Sequence, residues 1–285
     1  LRKDGTRVSI EFHIVLLPDG AAAILRDVTA QYQKEKELKT RLADVRRVTD
    51  LTAPDGHGVP ALLFTPPVPR GAAVICHGYG ASKEQMLGVA EAVVEKKFAA
   101  LAIDLCGHGE NTAPIGPGMR EEVDAAVAYL RRFGKVAAVG HSLGGRLALM
   151  SSADVVVAMS PSVMMQMSPQ GKWMFENLPS PGIREPYSGY VLELLEKLGP
   201  VPPHDRPCLL LYSERDIQGL LDGARDLQAQ LPRSEKQIIS DEIRPEVQHE
   251  NGFIRYLPHW FNHLEIRFNA AACQAIGTWL AAHLA

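Results

Sequence analysis

A serine, a carboxylate and a histidine, in that chain order and the first two just after apolar runs, can make a nucleophile, an orienting acid and a base. The serine is Ser142, within VAAVGHSLGGRLALM at 136–150. A hydroxyl is a weak nucleophile until a base takes its proton, and the base needs a carboxylate to set its tautomer and stabilise the imidazolium. Such a set attacks a carbonyl carbon and carries an acyl group on the serine.

The acid is expected at Asp216, in SERD directly after the buried-strand run PCLLLY, with Glu214 in reserve. Asp222 and Asp226 fall on the following helical stretch and read as solvated charges. Downstream histidines are His249, His259, His263 and His283. His283 ends a terminal amphipathic helix and reads as surface. His263 precedes that helix by a short loop able to carry it back over the strand ends, although 263 − 216 = 47 residues is a long spacing, because 241–262 reads as an inserted loop. His249 has the simpler spacing but no obvious helix behind it. His263 is the preferred base, with His249 and His259 as alternatives.

A tetrahedral intermediate also needs donors for its oxyanion. The helix beginning after Ser142 aims its free amides at the serine, so Leu143 N–H is one candidate. Tyr79 N–H, in VICHGYGAS after another apolar run, is the second. His77 in that loop reads mainly as a loop-shaping residue. Together with His141, Met164, Met165 and Trp173 it is a candidate for lining the substrate pocket. The Met-rich stretch can equally be explained as packing. Asp104, Gly107, His108 and Gly109 of IDLCGHGEN read as a turn beside the site.

The elements that must position these groups alternate. Apolar runs at RRVTDLT, PALLFTP, GAAVICH, FAALAID, KVAAVGH, DVVVAMS, PCLLLYS and EKQIIS are separated by helical stretches near 83–97, 119–132, 142–151, 217–230 and 268–284. Runs such as AAVIC and VVVAM are apolar on both faces, as strands covered on both sides must be. The order predicts an α/β fold with a mainly parallel eight-stranded sheet, helices on both faces and an antiparallel edge made by the first two strands. Ligands of such sheets gather at the strands' carboxyl ends, and Ser142 lies at one. Gly140 and Gly144 flank it because a side chain on a sharp strand-to-helix bend leaves no room for Cβ atoms two residues away.

HGYG, DLCGHGE, GHSLGG, YSERD and NHLEI, in this order over 46–285, resemble the α/β-hydrolase superfamily, specifically its single-domain serine esterase and lipase branch. The resemblance implies Ser142, Asp216 and His263 as nucleophile, acid and base, with Tyr79 and Leu143 as oxyanion amides. It further implies a lid between the sixth and seventh strands, expected at about 161–205, with a helix near 187–198. The substrate implied is a carboxylic ester or thioester with an apolar acyl group. No metal and no organic cofactor are needed. Perhydrolysis, C–C cleavage and lyase chemistry are the non-hydrolytic alternatives on this scaffold.

Residues 1–45 differ in character. RVSIEFHIVL and AAAILRDV, joined by PDG, predict a β-hairpin, and QYQKEKELKTRLADV predicts a charged helix with Tyr32, Leu38, Leu42 and Val45 as a sparse apolar edge. The stretch through Asp27-Val28-Thr29 resembles the C-terminal end of a PAS sensor domain. That resemblance implies a linker helix able to pair in a homodimer, and an alternative function as a PAS-coupled ligand-sensing protein with slow or no turnover.

Composition sets outer limits. A formal charge of −3 offers no basic field for nucleic acid. Four scattered cysteines, with neither CxxC nor metal-ligand spacing, read as buried free thiols of a reducing compartment. No apolar stretch reaches the ~20 residues that span a bilayer and the first 20 residues lack a signal-peptide layout, so a cytoplasmic location is expected. With Leu1 in place of Met, a fragment is an expectation kept beside that one, and in a fragment an upstream leader would be invisible.

Overall fold

The computed structural model describes residues 10–17, 20–27, 43–163, 183–184, 190–240 and 262–284. Strands β1 (Ile10–Leu17) and β2 (Gly20–Asp27) pair antiparallel as the expected hairpin, closing at Leu17 and Gly20. The helix expected after Thr29 lies outside the described residues except at its end, which is a strand. Val45, taken for the helix's last apolar residue, instead pairs with Phe64 in β3 (Asp44–Val48). Arg46, Arg47 and Val48 continue that strand, and its pairing with β4 (Ala61–Thr65) overrides the helical propensity of the preceding charged run.

The remaining strands are β5 (Ala72–Cys76), β6 (Ala99–Ile103), β7 (Val136–His141), β8 (Val155–Met159), β9 (Cys208–Ser213) and β10 (Ser234–Ile239). They form one eight-stranded sheet in the order β10-β9-β8-β7-β5-β6-β4-β3. The pairs β3·β4 and β4·β6 are antiparallel, and the other five are parallel. Every residue of β5, β6, β7, β8 and β9 is buried, whereas β3 and β10, at the edges, expose much of their length. The apolar composition of these five buried strands thus reflects cover on both faces.

Helices on the two faces are α1 (Leu87–Glu95), α2 (Met119–Leu130), α3 (Leu143–Met150), α4 (Tyr190–Leu198), α5 (Gln218–Gln230) and α6 (Ala270–His283). Side chains of each strand alternate between two cores. Val74, Leu101, Ala138, Val156 and Leu210 face one core with Val123 and Val127 of α2, Leu147 of α3 and Leu227 of α5. Ile75, Ala102, Val139, Val157 and Leu211 face the other with Val93 of α1 and Ile276 and Leu280 of α6. Leu194 of α4, the helix expected within the lid, joins the first core. Among the described residues, no helix is long and apolar enough to cross a membrane.

Candidate active site

Three adjacent strands end at the site. The Ser142 amide donates to the Met159 carbonyl at 2.8 Å and the Ser160 amide to the Leu211 carbonyl at 2.7 Å, so the pairing continues one residue past β7 and one past β8. Ser142 follows β7, Ser160 follows β8, and Asp216 lies three residues beyond β9.

Ser142 is the bend between β7 and α3, with φ 53° and ψ −113°, a backbone conformation that costs a residue with a side chain roughly 1–3 kcal/mol. A Cβ at Gly140 would stand 2.1 Å from the Gly144 carbonyl oxygen, and one at Gly144 would stand 2.4 Å from the Cys76 carbonyl oxygen. Glycine at both positions is therefore a packing requirement of the bend itself.

His263 Nε2 lies 2.9 Å from Ser142 Oγ, and His263 Nδ1–H donates to Asp216 Oδ1 at 3.0 Å. Asp216 also accepts the Ile217 amide at 2.8 Å on Oδ1 and the Ser160 hydroxyl on Oδ2. Asp216 and His263 are both buried. His263 stands in a helical turn over 262–265 that runs into a 3-10 turn at Ile266–Phe268, rather than on the open loop the sequence suggested. Asn269 then caps α6, its side-chain oxygen accepting the Ala272 amide at 3.0 Å. The Asn262 side chain donates to the Arg215 carbonyl at 3.5 Å, a second tie between this turn and the loop carrying Asp216.

His141 and His77 are wholly buried, and their rings are engaged with main-chain groups, so neither offers an exposed face to a pocket. His141 Nε2–H donates to the His263 carbonyl at 2.8 Å, with the two rings 5.0 Å apart. Burial first, and next the charge His263 can carry, hold the His141 ring well below the usual histidine range. His77 Nδ1–H donates to the Gly78 carbonyl at 2.7 Å, and its Nε2 accepts the Leu105 amide at 3.1 Å, tying the loop after β5 to the one after β6. Burial lowers its pKa to about 4. His108 packs its ring 5.0 Å from that of His77 and 5.5 Å from that of Tyr79.

Gly78 lies against the bend: a Cβ there would come within 3.2 Å of the Ser142 Cβ. Tyr79 follows directly. Among the described residues, neither the Tyr79 amide nor the Leu143 amide has a hydrogen-bond partner. Asp104 anchors the neighbouring turn by accepting the Lys83 and Glu110 amides at 2.8 and 2.9 Å and the buried Lys83 ammonium at 2.6 Å. Met164, Met165, Trp173, His249 and His259 lie outside the described residues, as does most of 161–205. Glu214 is exposed, and its amide donates to the Ile239 carbonyl at 2.8 Å.

Ser160, Ser162 and Arg146 were not singled out in the sequence. Ser162 Oγ lies 3.0 Å from Ser142 Oγ. Arg146, largely buried in α3, donates to the carbonyls of Ser162 at 2.8 Å, of Leu195 at 3.1 Å and of Gly199, so one guanidinium holds Ser162 and the end of α4 to the helix that follows Ser142. The available signal was a polar Ser-Pro-Ser directly after a strand apolar on both faces, at the sheet end where ligands gather. Cys76, Cys106 and Cys208 are buried free thiols and Cys273 is half-buried; burial raises the Cys106 and Cys208 pKa values to about 12. No group of three His, Cys, Asp or Glu among the described residues could hold a metal ion.

Sheet order, the strained bend and the converging loops define the α/β-hydrolase fold. The model of the alpha/beta hydrolase family matches residues 73–270, and the chain belongs to that family. Est1E from Butyrivibrio proteoclasticus shares the fold at a TM-score of 0.58 and 15% identity, over 84% of this chain and 98% of that one. Carboxyl esterase 2 from Tuber melanosporum shares it at 0.61 and 18%, over 86% and 88%. A thermophilic esterase from Thermogutta terrifontis does so at 0.59 and 18%, over 84% and 99%. Comparison with curated proteins finds no match.

Proposed function

We propose that the protein is a serine hydrolase that cleaves a carboxylic ester or thioester through an acyl-enzyme. One observation carries the reading: Ser142 Oγ is 2.9 Å from His263 Nε2, whose other ring nitrogen donates to Asp216. Ser142 Oγ attacks the substrate carbonyl while His263 Nε2 takes its proton. The oxyanion is received by the Tyr79 and Leu143 amides, and His263 returns the proton to the departing alcohol or thiol. Water then attacks the acyl-enzyme by the same route, and Ser142 is released. Asp216 holds the imidazole in the Nδ1–H tautomer throughout.

The segment 161–205 acts as a lid over an apolar acyl group, with Met164, Met165 and Trp173 as contacts and α4 as its rigid part. No metal or organic cofactor enters the scheme, and the partner is a small molecule. The esterases among the structural neighbours support the reaction class.

Labelling with a fluorophosphonate, followed by mapping of the modified peptide, tests the nucleophile. Turnover of a panel of p-nitrophenyl esters and thioesters tests the substrate class. Modification at Ser142, lost in Ser142→Ala, is expected. A wild-type protein that neither labels nor hydrolyses any member of the panel overturns the proposal.

A further inference from the structure

The turn after β8 reaches both ends of the Ser142–His263–Asp216 chain. Ser160 donates its hydroxyl to Asp216 Oδ2, and two residues later Ser162 Oγ lies 3.0 Å from Ser142 Oγ. Backbone bonds, independent of the hydroxyl, hold Ser162 there. Its amide donates to the Ser142 carbonyl at 3.0 Å, and its carbonyl accepts Arg146 Nη1 at 2.8 Å. Pro161, with its fixed φ, stiffens the turn between the two serines.

Counting protons decides which way the bond between the serines runs. Ser142 has one hydroxyl proton and two neighbours for it, His263 Nε2 at 2.9 Å and Ser162 Oγ at 3.0 Å. In the neutral ring that a base must be, with Nδ1–H donating to Asp216, Nε2 carries only a lone pair and takes the Ser142 proton. Ser162 then donates its own proton to Ser142 Oγ.

Resting on the reading of Ser142 as the nucleophile, we infer that Ser162 is a further catalytic residue whose hydroxyl serves deacylation, by donating to Ser142 Oγ as that oxygen leaves. An interaction accelerates a step only where it is stronger in the transition state than in the ground state. In the free enzyme Oγ is an alcohol oxygen, already a good acceptor, so attack gains little from the Ser162 donor. In the acyl-enzyme Oγ is an ester oxygen whose lone pair is delocalised into the carbonyl, a poor acceptor. Water adds to the acyl carbon and its proton passes to His263 Nε2. As the carbon–Oγ bond then breaks, its electron pair returns to Oγ and the hydrogen bond from Ser162 strengthens. His263 returns the proton to Oγ, while Ser162 keeps its own proton from start to finish.

The test is stopped-flow hydrolysis of p-nitrophenyl acetate by wild type, Ser162→Ala and Ser162→Thr, with fluorophosphonate labelling rates as a separate measure of attack. For Ser162→Ala, burst and labelling rates within about threefold of wild type are expected, with deacylation slowed roughly tenfold, the value of one hydrogen bond of ordinary strength. Acetyl-enzyme then accumulates as a larger burst and is visible by intact mass. Ser162→Thr, which keeps a hydroxyl, restores deacylation. Should Ser162→Ala lower the thermal midpoint, Ser162→Cys keeps the volume while weakening the donor, and the same two rates are compared in it. Equal slowing of both steps, or no change in either, overturns the inference. A wild-type protein that neither labels nor turns over fails before any variant is made, and it overturns the nucleophile reading together with this one.

Discussion

His141 Nε2–H donates to the main-chain carbonyl of His263, 2.8 Å away, across 122 residues of sequence. The residue before Ser142 thus holds the backbone of the residue whose ring meets Ser142 Oγ. Burial holds the His141 ring well below the usual histidine range, so a neutral ring makes this tie near neutral pH.

His141→Phe keeps a ring of similar size and removes the donor. We expect kcat to fall about tenfold with KM little changed, since a loosened backbone misplaces the base without touching substrate binding. Steady-state kinetics on p-nitrophenyl esters check it, and a rise in KM alone speaks against a positioning role.

Ser142→Ala removes the oxygen proposed to attack the substrate, and no packing. Hydrolysis should drop by at least about four orders of magnitude. The far-UV spectrum and thermal midpoint should remain those of wild type, because alanine meets the same backbone strain at φ 53°.

His263→Ala should be as damaging as the loss of the serine, to within about tenfold, because residues acting as one unit are not additive. His249→Ala and His259→Ala should retain activity within about twofold, as substitutions outside the catalytic chain ordinarily do. Parallel assays of the three variants decide the identity of the base, and full activity in His263→Ala refutes the assignment.

Ser160→Ala leaves Asp216 Oδ2 without its hydroxyl donor inside a buried site. An orphaned buried acceptor costs about 1–3 kcal/mol. Urea unfolding should show that loss together with a several-fold drop in kcat, and Ser160→Thr should recover part of both.

Away from the site, His57 bridges two carboxylates, Nδ1 to Asp55 at 2.5 Å and Nε2 to the fully buried Glu122 at 2.6 Å. Burial lowers the His57 pKa, but the bonds to Glu122 and Asp55 outweigh it and the net shift is upward from 6.5. Burial raises Glu122 as well, against the pull of His57, the Cys106 amide and Asn111. Both groups therefore hold their protons more tightly folded than unfolded, so stability is greatest below their ordinary values and declines as pH rises through the shifted ones. The thermal midpoint should fall across the range above the ordinary histidine value of 6.5, and His57→Gln should flatten that slope. Differential scanning across the range measures it, and an unchanged slope in the variant removes His57 from the account.

Much of the scaffold could be read from spacing alone. The doubly apolar runs of β5 to β9 announced a covered parallel sheet, and Ser142 between Gly140 and Gly144 announced the bend, because both depend on residues a few positions apart. Val45 was misread for the same reason: its neighbours in sequence favour a helix, while its partner Phe64 lies in another strand.

What the chain could not declare by itself is which distant side chains meet. His263 lies 121 residues from Ser142 and 47 from Asp216, and no spacing in the sequence announces that the turn at 262–265 brings its ring within 3.0 Å of both side chains. Ser160 and Ser162 matter because β8 lies between β7 and β9, which sets their hydroxyls beside Ser142 and Asp216. Local sequence determines strands, helices and the strained bend through short-range sterics and hydrophobic period. Contacts between strand ends depend on the order in which strands pair, and only the assembled sheet decides that.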